Sequence, residues 1–144
     1  MATGFQVTFD CAGPGKLAEF WVAALGYQLE PPPEGFGSWE DWARQAGIPE
    51  ERWDDLAAAV DPAGIGPRLL FQRVPEPKTV KNRVHLDVNV GGGRGTPDAE
   101  RRARVTAAEE RLTALGATRL REVEEATGHW IVMQDPEGNE FCLQ

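Results

Sequence analysis

Apolar and polar residues alternate one for one in several stretches of this chain. Phe5, Val7 and Phe9 alternate with Gln6, Thr8 and Asp10, and Val84, Leu86, Val88 and Val90 alternate with Arg83, His85, Asp87 and Asn89. Leu69 and Phe71 share a face that leaves Leu70 and Gln72 on the other, and Phe141 and Leu143 stand opposite Glu140 and Cys142. A period of two, with β-branched and aromatic residues gathered on one face, predicts strands that lay one side on a core. The period becomes helical at Leu17, Phe20, Trp21, Ala24 and Leu25, and again at Val105, Ala108, Leu112 and Leu115. Pro14 and Pro97 fall in the first turns and Gly26 and Gly116 follow the last, so helices are predicted over roughly 14–25 and 97–115, with Thr96 capping the second.

These elements repeat. Strand, helix and strands occur twice, and the helix endings Ala24-Leu25-Gly26-Tyr27 and Ala114-Leu115-Gly116-Ala117 are near copies. The first module is expected over roughly 4–76 and the second over 82–144, within one α+β domain spanning 1–144. The glycine-rich run Gly91 to Gly95 has no lysine and opens no P-loop, so it reads as a flexible link. A Trp-rich insert, 36–62, interrupts the first module. Within it, Ser38 to Gly47 and Pro49 to Val60 read as two short acidic helices carrying Trp39, Trp42 and Trp53. They cap the sheet as a satellite core, form a lid whose indoles line a ligand cavity, or do both.

The polar faces hold the candidate chemistry. Asp135-Pro136-Glu137-Gly138-Asn139 is turn chemistry throughout, and it delivers Glu140 onto a strand on the side away from Phe141 and Leu143. Gln6 and His85 occupy matching polar faces and meet Glu140 if their strands share one curved sheet. Such nitrogen and oxygen donors suit a divalent ion such as Mg, Mn, Fe, Ni or Zn. Solvated strand residues are the plainer alternative. Arg83 shares the face of His85 and could pair with a substrate carboxylate, while Asp87 and Asn89 could orient the imidazole. Trp130 shares a face with Val132 and Gln134 and could wall a cavity; His129 reads as an exposed turn residue.

Composition narrows the choice of partner. The 144 residues carry a net charge of −8, which argues against nucleic acid and against an anionic membrane surface. No apolar run is long enough to span a bilayer, and the first residues lack a signal-peptide pattern, so a cytoplasmic protein is expected. Cys11 and Cys142 have no metal-like spacing and are expected as thiols. A small molecule is the expected partner.

Several segments together resemble the vicinal oxygen chelate superfamily, in the branch of glyoxalase I and the bleomycin-resistance proteins. They are the Gln6 strand with Leu17-Ala18-Glu19-Phe20-Trp21, the Leu25-Gly26-Tyr27 helix end, His85-Leu86-Asp87, and Asp135 to Phe141. The resemblance implies the glyoxalase/bleomycin resistance/dioxygenase fold: two βαβββ modules forming a curved mixed sheet around a cavity, helices on its outer face, in a chain that commonly forms a homodimer. It implies a divalent metal on Gln6, His85 and Glu140; from their own placement Trp39, Trp42, Trp53, Trp130, Gln72 and Arg83 are expected around the substrate. A metal-dependent lyase or isomerase follows, acting on a small oxygen-rich substrate through a metal-stabilised enolate, with Glu140 or a metal-bound hydroxide as base. In glyoxalase I a glutamate ends the fourth strand; here Gln72 stands in that neighbourhood, and an amide cannot take a proton from carbon. The alternative function is a metal-free protein that sequesters a drug or metabolite, as bleomycin-resistance relatives do.

Overall fold

The structure, a computed structural model, describes residues 1–144. The chain divides into two compact units, Met1–Pro77 and Lys78–Gln144. No helix is long and apolar enough to cross a membrane.

In the N-terminal unit, β1 (Val7–Cys11) leads into α1 (Pro14–Leu25), then β2 (Gln28–Leu29), α2 (Trp39–Gln45), a 3-10 turn (Glu50–Asp55), β3 (Leu56–Val60) and β4 (Leu69–Arg73). The sheet runs β1-β4-β3-β2. β1 lies parallel to β4, with Asp10 opposite Gln72, and the remaining pairs are antiparallel. α1 begins at Pro14 and ends where Gly26 takes the left-handed conformation (φ 70°), open to glycine without steric cost. Leu17, Phe20, Trp21 and Ala24 form its buried stripe, and Phe9 stacks between Trp21 and Phe71 with ring centroids 5.1 Å from each.

The C-terminal unit repeats this plan. β5 (Leu86–Val88), α3 (Asp98–Ala114), β6 (Thr118–Glu125), β7 (Gly128–Gln134) and β8 (Glu140–Leu143) form a sheet of order β5-β8-β7-β6. Again the first strand is parallel to the last, and the last three form an antiparallel meander. Phe141, Leu143, Met133 and Ile131 are buried on the core face, where α3 contributes Val105, Ala108 and Leu112. Each unit is therefore a βαβββ module with one four-stranded mixed sheet, and the chain is α+β.

Several expectations need correction. Phe5 precedes β1 and is 73% exposed, so it belongs to no core. β5 starts only at Leu86: Arg83 and His85 lie ahead of the strand, Val84 is 80% exposed, and Val90 lies beyond its end. The segment Leu56 to Val60, expected as helix, is a strand because it pairs with β4 and β2; tertiary pairing overrides the helix preference of its three alanines. Pro97, not Thr96, occupies the cap position of α3, and Leu115 is half exposed beyond the helix. His129 is buried and donates from Nε2 to Glu122 Oε1 at 2.6 Å, which holds that carboxyl below its usual range.

Candidate functional site

An open cleft of about 340 Å³ lies on the face of the C-terminal sheet away from its apolar core. Its walls are Lys81, His85, Asp87, Arg121, Trp130, Val132, Glu140, Cys142 and Gln144. Strand register explains most of this set. Asp87 stands opposite Cys142, Cys142 opposite Val132, and Val132 opposite Arg121, so one row crosses all four strands. His85, two residues before Asp87, and Glu140, two before Cys142, extend the same face.

Arg121 reaches this face through an irregularity. The β6–β7 register shifts between Arg119 and Arg121, so Leu120 is skipped and Arg121 faces Val132. A bulge of this kind re-aims every later side chain. Sequence periodicity does not reveal it, and Arg121 was absent from the expected site. Lys81, on the loop ahead of β5, donates its ammonium to Glu140 Oε2. That contact, with Arg121 and Lys78 nearby, holds the Glu140 carboxyl below its ordinary range.

The imidazole Nε2 of His85 lies 3.2 Å from Asp87 Oδ1, and both side chains are about half exposed. Asn89 does not join them; it accepts instead from Gln144 at 2.9 Å. Ligand atoms of His85, Asp87 and Cys142 all lie within 4.8 Å of one another, so these three residues could hold a metal ion. Burial pushes the Cys142 thiol up to about 11, and the adjacent Asp87 carboxylate adds to the shift. The signal for Asp87 and Cys142 was present in the alternation, but only the parallel β5–β8 register sets them side by side.

The other expected site residues have different surroundings. Arg83 is exposed and forms no wall of the cleft. Gln6, in the N-terminal unit, accepts on Oε1 from Arg68 Nη1 at 3.2 Å, and Arg68 also forms a two-pronged pair with Glu30. Gln72 donates to Asp10 Oδ1 at 3.0 Å. Trp39 donates its indole N–H to the Glu30 carbonyl and Trp53 to the Ile48 carbonyl. Trp39 packs edge-on against Trp42, and the Arg44 guanidinium lies over Trp53. These contacts tie the insert to its own unit. Of the expected metal donors, His85 lies beside Asp87, Glu140 pairs with Lys81 and the Gln6 oxygen accepts from Arg68.

The chain belongs to the glyoxalase-like domain family, whose pattern matches residues 6–144. Solved structures share its fold. A glyoxalase/bleomycin resistance/dioxygenase family enzyme from Burkholderia phytofirmans PsJN is 14% identical with a TM-score of 0.60, over 96% of this chain and 94% of that one. A variant of the genomically encoded fosfomycin resistance protein FosX from Listeria monocytogenes, crystallised with Mn(II) and 1S,2S-dihydroxypropylphosphonic acid, is 14% identical with a TM-score of 0.62, over 100% and 90%. A hypothetical protein from S. aureus is 11% identical with a TM-score of 0.63, over 99% and 93%. No curated protein matches the sequence.

Proposed function

We propose that this protein is a divalent-metal-dependent enzyme of the glyoxalase-like lyase or isomerase type, acting on a small, oxygen-rich, anionic substrate in the C-terminal cleft. The observation that carries this reading is the convergence of Lys81 and Arg121 on the face that holds Glu140, His85, Asp87 and Cys142. The family and the Mn(II) and dihydroxypropylphosphonic acid bound by the Listeria protein support it. Arg121 offers a planar fork for a carboxylate or phosphonate, and Trp130 and Val132 form an apolar wall that sets the substrate's depth. A divalent ion bound there supplies Lewis-acid stabilisation of charge on a substrate oxygen. Glu140 is a weak base while Lys81 neutralises it; a substrate anion that draws Lys81 away restores its basicity.

The test is a binding and turnover screen of small 2-oxo and 2-hydroxy acids and phosphonates, with added divalent ions and with chelator. Ion-dependent binding that weakens in Arg121→Ala is expected. The reading fails if no anion binds under either condition.

A metal-free binding protein is the second reading, favoured by the Lys81–Glu140 ion pair, which occupies a carboxylate the metal-using relatives are expected to need. Lys81 and Arg121 make a cationic ligand the less suitable guest. Binding that survives chelation, without turnover, selects this alternative.

A further inference from the structure

We infer that His85, Asp87 and Cys142 form a thiolate-containing metal site that selects zinc or a similarly thiophilic divalent ion, in place of the oxygen-dominated set built on Glu140. The inference deepens the metal-dependent reading above and rests on it.

Three observations converge. All three donors come from two hydrogen-bonded strands or the residue just ahead of one: Asp87 and Cys142 are register partners, and His85 precedes β5 by one residue. Their ligand atoms already lie within 4.8 Å of one another, and the His85 Nε2 to Asp87 Oδ1 distance is 3.2 Å. Donors on one tetrahedral zinc ion, at bond lengths near 2.0–2.3 Å, stand about 3.3–3.6 Å apart. The imidazole and carboxylate therefore have the right separation, and the half-exposed His85 has room to turn the remaining distance toward the buried sulfur.

The donor chemistry points the same way. One imidazole, one carboxylate and one thiolate make a mixed, softer set than the amide, imidazole and carboxylate expected from family resemblance, and thiolate favours Zn over Mg or Mn. The two anionic ligands balance the ion's charge. On binding, the sulfur-to-metal bond replaces the S–H bond and the proton leaves to solvent. Three protein ligands leave a fourth position toward the cleft for water or a substrate oxygen, as in catalytic zinc sites. Glu140 then keeps Lys81 as its partner at the rim.

Cobalt(II) is the probe, because thiolate coordination produces an intense near-ultraviolet charge-transfer band that oxygen and nitrogen ligands do not. The full chain titrated with cobalt(II) is expected to show this band at one ion per chain, with zinc displacing it. Cys142→Ser and His85→Ala should remove the band or weaken binding by at least about 10-fold, whereas Cys11→Ser and Glu140→Gln should leave it. His85 is exposed enough that its variant tests the site even if Cys142→Ser folds poorly. Cobalt binding without a charge-transfer band, abolished by Glu140→Gln, overturns this site while the metal-dependent reading stands. No cobalt or zinc binding at micromolar concentration overturns this site, and the metal-dependent reading falls with it only if manganese and magnesium also fail to bind.

Discussion

The two units share a strand order, a parallel pairing of first strand with last and an Asp-Pro turn before the last strand, but they carry different chemistry at matching positions. In the N-terminal unit Thr8 faces Leu70, with Gln6 two residues before Thr8 and Arg68 two before Leu70. In the C-terminal unit Asp87 faces Cys142, with His85 and Glu140 at the corresponding places. The first arrangement closes on itself, because the Gln6 amide oxygen accepts from Arg68, Arg68 also pairs with Glu30, and the remaining neighbours are a hydroxyl and an isobutyl group. The second brings imidazole, carboxylate and thiol together beside a cleft. The repeated backbone supplies a place where two strands present polar side chains together. Three or four side chains decide whether that place is a structural hydrogen bond or a reactive site.

The sharpest way to break the comparison is through the cores. Phe71 and Phe141 are both fully buried on the last strands of their sheets. Phe→Ala at either position is expected to cost about 3–5 kcal/mol, through lost transfer energy and the cavity left behind. Chemical denaturation read by far-ultraviolet circular dichroism checks both. Unequal losses would show that the units share a plan without sharing the load of stability.

Next in size is conversion of one site toward the other. His85→Gln gives the C-terminal unit the residue found at the matching N-terminal position, Gln6. Zinc affinity measured by competition with a chromophoric chelator is expected to fall on the order of 100-fold, at or beyond the upper range seen when only an outer-shell partner is lost. Gln6→His in the N-terminal unit should create no comparable affinity, because Leu70, at the place of Cys142, offers no thiolate. Zinc binding by that variant at matched affinity would mean that the backbone position matters more than the sulfur.

The fold was legible where local sequence and tertiary structure agree. Pro14 and Gly26 bound α1 by backbone chemistry alone, and the alternation of Leu69 with Phe71 and of Phe141 with Leu143 assigns the core faces. It was illegible where long-range pairing decides. Leu56-Ala57-Ala58-Ala59-Val60 has no alternation and high helix preference, yet neighbours on both sides make it a strand. The site divides in the same way. Alternation sent His85 and Glu140 to a polar face, and Trp130 with Val132, but strand parity carries no register. It could not set Asp87 beside Cys142 or bring Arg121 past a bulge. Nor could it show that Glu140 meets Lys81, a contact made across a loop whose path no periodicity describes.

The Asp-Pro turns offer a smaller test. The Asp135 carboxylate accepts the backbone N–H of Glu137 at 2.9 Å and of Asn139 at 3.0 Å, and also binds the Asn139 side chain. It is 2% exposed, so removal strands buried donors. Asp135→Ala is expected to lose about 1–3 kcal/mol by chemical denaturation. Asp61 plays the same part before β4, accepting from Ala63, Ile65 and Gly66, but in a more open turn where water can replace it. Asp61→Ala should cost less. A larger loss at Asp61 would reverse the ranking drawn from burial.

The finest distinction is in acid. The backbone N–H groups of Gly66 and Ala63, with Ile65 adding to them, hold the Asp61 carboxyl below its ordinary 3.8. The unfolded chain then binds this proton more readily than the folded one, so the contribution to stability is fully present above pH 3.8 and is lost as pH falls through the lower folded value. Trp130→Phe removes the single indole of the C-terminal unit and leaves Trp21, Trp39, Trp42 and Trp53 as reporters of the N-terminal one. In that background, denaturation followed by tryptophan emission is expected to show a falling stability below pH 3.8 that Asp61→Asn flattens. The amide carries no titrating proton, so any slope that remains belongs to other carboxylates. An unchanged slope would show that the turn's hydrogen bonds persist in the unfolded chain or that solvent has already replaced them.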